Sequence, residues 1–135
     1  SDLSGAKEYY SNWKEQLDEA DIVFYLLRAD LIIAGDLKAE TRIREDMRHI
    51  ADWLKERKKV PRIFIIGTHC DLDPYFLKLN PDTVGNYIDN FRKLPIVSEI
   101  VARAGGTKNV KVTIGSMKSI SDTEALIYET FVQII

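Results

Sequence analysis

The residues of this chain best suited to chemistry sit just after short apolar runs. Thr68-His69-Cys70-Asp71 follows Arg62-Ile63-Phe64-Ile65-Ile66-Gly67, and Ser116-Met117-Lys118 follows Lys108 to Ile114 and Gly115. Arg28-Ala29-Asp30 closes a third run that begins at Asp21. A carboxylate such as Asp71 accepts two parallel hydrogen bonds from an N–H and an exocyclic amine on one edge of a planar ring. Guanine offers that pair of donors and adenine does not. Backbone N–H groups in the 116–118 loop would meet a carbonyl oxygen of the same base.

For these loops to meet, the apolar runs must be parallel strands that end on one edge, where open α/β sheets bind ligands. Asp21 to Arg28 is nearly all apolar, the look of a strand buried on both faces. Leu31 to Gly35 reads as a connection. Asp36 caps a long helix to about Arg57, with Ile43, Met47, Ile50 and Leu54 as its buried stripe. A helix over Ala6 to Glu19 follows from Tyr9, Trp13 and Leu17, which recur every four residues.

After Pro61 comes the second strand. Asn80-Pro81-Asp82-Thr83 opens a helical region that Pro95 splits into about 82–93 and 96–104, and Gly105-Gly106 ends it. Ser121-Asp122-Thr123-Glu124 has the form of a capping box, and Ile127, Phe131 and Ile134 line the last helix. Strands alternate with helices, which implies parallel pairing through right-handed crossovers. The expectation is a single α/β domain over residues 1–135, Rossmann-like and three-layered. Its parallel sheet has three visible strands flanked by helices and looks incomplete on its N-terminal side.

These motifs together resemble the nucleotide-binding motifs of the P-loop GTPases, the Ras-like G domains. Thr68-His69-Cys70-Asp71 resembles the guanine-specificity motif Asn/Thr-Lys-x-Asp. Ser116-Met117-Lys118 resembles the Ser-Ala-Lys motif of the next strand end, and Asp2-Leu3-Ser4-Gly5 the Asp-x-x-Gly motif before the second switch. They occur in the family's order, over the C-terminal part of a G domain. The resemblance implies that Asp71 binds guanine N1 and N2, that the backbone at Ser116 and Met117 meets O6, and that the Lys118 stem packs on the ring or its sugar. It further implies that Asp2 holds Mg2+ through water and that the Gly5 N–H contacts the γ-phosphate and resets the second switch.

GTP and GDP would then be the ligands, with in-line hydrolysis of GTP in the intact domain. The helix carrying Tyr9, Tyr10 and Trp13 would be a nucleotide-sensitive surface for an effector or a dimer partner. The departures lie at His69 for lysine, at Thr68 for the commoner asparagine, and at Ala6, where Ras-like chains carry a water-orienting glutamine. No Gly-x-x-x-x-Gly-Lys-Ser/Thr loop occurs. The expected state of these 135 residues alone is therefore inactive, the first part of the G domain being truncated, disordered or lost. An alternative is a degenerate GTPase-like scaffold for protein interactions, and another is an unrelated Rossmann-like piece.

Composition narrows the rest. The net charge of −2 gives no nucleic-acid footprint, and the basic Lys55, Arg57, Lys58 and Lys59 read as a solvated helix end. Cys70 is the only cysteine, so no disulfide can form within the chain; a reducing, cytoplasmic setting is expected. No apolar run is long enough to span a bilayer. His69, Cys70, Asp71 and Asp73 are too close in sequence to surround one metal ion unaided. Nothing marks a base for Cys70, which reads as a packed thiol. Asp73-Pro74 reads as a turn, Asp30 as a cap and His49 as a solvated side chain.

Overall fold

Three parallel strands carry the most apolar segments of the chain. The computed structural model describes Tyr10, residues 21–57 and residues 59–132. In it β1 (Ile22–Arg28) pairs with β2 (Arg62–Thr68), and β2 with β3 (Val110–Ile114), in the order β1-β2-β3. The register sets Arg28 beside Thr68 and Gly67 beside Ile114, so the strands end level on one edge. Helices α1 (Ala29–Ile33) and α2 (Leu37–Lys55) join β1 to β2. Helices α3 (Val84–Lys93) and α4 (Pro95–Arg103) join β2 to β3, and α5 (Ile120–Val132) follows. This is an α/β fold, a parallel sheet with flanking helices. Among the described residues no helix is long and apolar enough to cross a membrane.

One face of the sheet makes the main core. Tyr25, Leu27, Ile63, Ile65, Val110 and Val112 pack with the α2 stripe and with Ile96, Val97 and Ile100 of α4. Each fully buried aliphatic side chain contributes about 1.5–3 kcal/mol. On the other face α5 lies over the end of β3. There a Cβ on Gly115 would sit 3.2 Å from Leu126 Cδ1, so glycine lets the helix approach.

Local chemistry sets the helix ends. The Asp36 carboxylate accepts from the Ala39 N–H at 2.8 Å, and Pro95 occupies the first turn of α4. Gly105 and Gly106 end α4 in left-handed conformations, with the Gly106 N–H donating to Val101 O.

Several expectations need correction. β1 is not buried on both faces: Ile22, Phe24 and Leu26 are exposed, Phe24 by 46% and Leu26 by 54%. It is an edge strand of the described sheet, and its outer face is only partly covered. The connection after it is a short helix, α1. The last helix begins before Ser121, and its cap is Ser119, whose Oγ accepts from the Asp122 N–H at 3.1 Å. Its buried face carries Leu126 and Thr130, while Ile127 and Phe131 are exposed; Ile134 lies outside the described residues. The Thr130 hydroxyl satisfies itself on Leu126 O at 2.8 Å, which lets a polar residue take the inner position. The helix expected over Ala6 to Glu19 lies outside the described residues except for Tyr10.

Candidate functional site

At the carboxyl edge of the sheet the loops after β2 and β3 are tied to each other. The Gly115 N–H donates to Gly67 O at 2.9 Å, and the Cys70 N–H donates to Gly115 O at 3.2 Å. Between these anchors His69 takes a left-handed conformation with φ 63°, turning the chain into one 3-10 turn over Cys70–Leu72. The reversal lifts Asp71 toward the neighbouring loop. Its Oδ1 accepts from Ser116 Oγ at 2.9 Å, and Ser116 Oγ in turn accepts from the Lys118 N–H at 3.0 Å. Ser116 is buried, Asp71 half-buried and Lys118 exposed, so the chain of bonds is partly buried. It fixes one carboxylate oxygen and leaves lone pairs on the other to accept from a ligand.

Thr68 works differently. It is buried, and its Oγ1 donates to Leu27 O at 3.2 Å, bracing β2 against β1. His69 Nδ1 lies 2.8 Å from the same Oγ1. A hydroxyl has one proton, so with that proton on Leu27 O the imidazole Nδ1 carries the hydrogen and donates. This fixes the ring beside the loop, and His69 as a whole is exposed. Met117 and Lys118 are exposed on the opposite rim. Thus Thr68, His69, Asp71, Ser116, Met117 and Lys118 are gathered on one edge of the sheet. Asp2, Gly5, Ala6, Tyr9 and Trp13 lie outside the described residues. The Mg2+ and γ-phosphate contacts assigned to Asp2 and Gly5 by resemblance therefore have no geometry to rest on.

Beneath the loop, Cys70 and Asp73 are structural. Burial pushes the Cys70 thiol up to about 12, so it is not a nucleophile at neutral pH. Asp73 accepts from the Tyr75 N–H at 3.1 Å and from the Tyr87 hydroxyl at 2.7 Å; burial, followed by that bond, raises the Tyr87 pKa. Among the described residues no group of three or more His, Cys, Asp or Glu side chains is placed to hold a metal ion.

Two clusters were not anticipated. Arg28 grips Asp30 with two hydrogen bonds, Nε to Oδ1 at 3.1 Å and Nη2 to Oδ2 at 2.7 Å, one strand over from Thr68. Asp46 is only 5% exposed and accepts from the Tyr10 hydroxyl at 2.7 Å, the Tyr25 hydroxyl at 2.6 Å and Arg42 Nε at 3.0 Å. Tyr10 also stacks on His49 at 3.9 Å, so His49 is half-buried rather than solvated. The signal was available: Asp46 lies three residues after Ile43 and four before Ile50, inside the apolar stripe. Comparison with protein-family models, curated proteins and solved structures gives no match.

Proposed function

We propose that the 68–71 and 116–118 loops form a guanine pocket, and that the chain is the base-recognition part of a Ras-like GTPase that binds GTP and GDP with Mg2+. The reading rests on one observation above the rest. The Ser116 hydroxyl holds the Asp71 carboxylate at 2.9 Å across 45 residues of sequence. A carboxylate preset in this way meets a purine edge without losing the entropy of finding its rotamer. On this reading the Asp71 carboxylate accepts from guanine N1 and N2. The backbone at Ser116 and Met117 donates to O6, and the His69 ring and Lys118 stem cover the faces of the base. A strand and phosphate-binding loop from outside these residues would join the outer edge of β1 and supply most of the phosphate contacts. GTP hydrolysis belongs to that completed domain, not to this chain alone.

The test is a titration of the 15N-labelled chain followed by amide shifts. Guanosine and GDP should move residues 68–72 and 115–118, and adenosine and ATP should not. Asp71→Asn turns an acceptor toward a donor and should weaken guanosine about tenfold or more, as expected for a lost bond to a charged group worth ~1.5–3 kcal/mol. Equal responses to guanosine and adenosine, or none at millimolar guanosine, would sink the proposal.

A further inference from the structure

Along its outer edge, β3 borders a groove that lies outside the candidate pocket and shares Val110 and Val112 with the core. The groove encloses about 510 Å³ between β3 and α4. Val101 and Ala102 of α4 form its floor, residues 110–112 form one wall, and Arg92 and Lys111 flank it. The backbone direction of β3 follows from two bonds. Asn109 O accepts from the Ile63 N–H, and the Gly115 N–H donates to Gly67 O. Odd-numbered residues therefore face β2, and Val110, Val112 and Ile114 turn their N–H and C=O groups outward. Of these, the Val110 N–H is taken by Gly106 O, and Val112 O accepts from Arg92 Nη2 at 3.0 Å. Val110 O and the Val112 N–H have no partner among the described residues.

We propose that this groove binds an extended acidic peptide segment of a partner protein, which adds to β3 as a fourth strand. Main-chain bonds supply the affinity of such additions, and the side chains on either face supply the selectivity. Charge decides the class of partner. The two charged residues lining the groove, Arg92 and Lys111, are both cationic; no carboxylate lines it, and Asp89, 3.4 Å from Arg92 Nη1, holds that guanidinium from outside. Arg92 serves as a removable plug. Its guanidinium transfers from Val112 O to an incoming carboxylate, and the freed carbonyl accepts a peptide N–H. A segment alternating apolar and acidic residues fits best. Its apolar side chains meet Val101 and Ala102, and its acidic ones face Lys111. The five residues of β3 span about 16 Å, room for some five residues of extended chain. A second copy is the poorer occupant, because β3 paired with itself would set Lys111 and Arg92 against their own duplicates.

The probe is an acetylated, amidated hexapeptide of alternating valine and glutamate, titrated into the 15N-labelled 135-residue chain. Amides of Gly106, Thr107 and residues 110–114 should shift. Affinity should fall about tenfold or more in Arg92→Glu/Lys111→Glu, and similarly on raising salt from about 0.05 to 0.5 M. Val112→Pro removes an outward N–H without touching the β2 ladder and should abolish binding. The Arg92 and Lys111 changes, at exposed positions, keep the test valid if the proline variant does not fold. Absence of shifts, equal binding of the lysine-for-glutamate peptide, or indifference to the charge reversal would overturn the proposal. So would the same amides shifting with protein concentration alone, which would assign the edge to self-pairing.

Discussion

Asp46 is the polar centre of the described structure, and its energetics belong to single side chains. One buried carboxylate is shared by two phenols and a guanidinium, drawn from β1, α2 and the segment around Tyr10. Hydrogen bonds to charged groups contribute about 1.5–3 kcal/mol each and do not add when they share an acceptor. Asp46→Ala should therefore lower unfolding stability by about 3 kcal/mol, read from the urea midpoint. The same cluster carries a pH signature. Burial first, and the bond to Asp46 second, push the Tyr10 phenol from 10.0 up to about 12. The folded state thus holds this proton more tightly than the unfolded chain. Its contribution to stability is complete below pH 10 and disappears as pH rises through about 12. Thermal melts between pH 9 and 12 should decline less steeply in Tyr10→Phe than in the parent. Cys70 and Tyr87, also shifted upward, leave a residual slope in both.

At the scale of elements, the tightest constraint is where β2 runs out. A Cβ on Gly67 would lie 2.8 Å from Ile114 Cγ2 and 2.9 Å from Ala29 Cβ, so the end of β2 is clamped between β3 and the start of α1. Gly67→Ala should cost about 1–3 kcal/mol by overpacking, measured by chemical denaturation. Ile114→Leu, which moves the branch off Cβ, should recover part of that loss in the double variant.

The register levels the strand ends, and that explains what could be read in advance. Thr68, Asp71 and Ser116 were legible because polar residues after apolar runs in a βα series must share one edge. Helix α2 was legible because Ile43, Met47, Ile50 and Leu54 repeat at helical spacing and all are buried. The faces of β1 and α5 were not legible. A continuous apolar run has no period to say which side is covered, and Leu126-Ile127 and Thr130-Phe131 differ by one step that only the contact with Gly115 resolves. Helix α1 was hidden for a related reason: five residues carry too little periodicity to separate a helical turn from a connection.

Over the whole molecule, the two edges of the sheet are protected unequally. β3 has a guanidinium seated on an outward carbonyl, which occupies one acceptor that a stray strand would need. β1 has no such guard among the described residues, and its outer face leaves Ile22, Phe24 and Leu26 open to solvent. Phe24 and Phe64 lie 5.6 Å apart on this face, yet Phe64 is fully buried while Phe24 is nearly half open, so cover fades toward β1. Contiguous apolar surface on an edge strand drives association. The isolated chain should therefore show a weight-average mass that rises with concentration in sedimentation velocity. Leu26 is already 54% exposed, so Leu26→Lys removes little packing and should change folding stability by no more than about 0.5 kcal/mol. The lysine should nonetheless hold the protein monomeric across the same concentrations, because a charge must then be desolvated to bring two such edges together. A parent chain that stays monomeric throughout, or a lysine variant that associates equally well, would place the cause of any association on another surface.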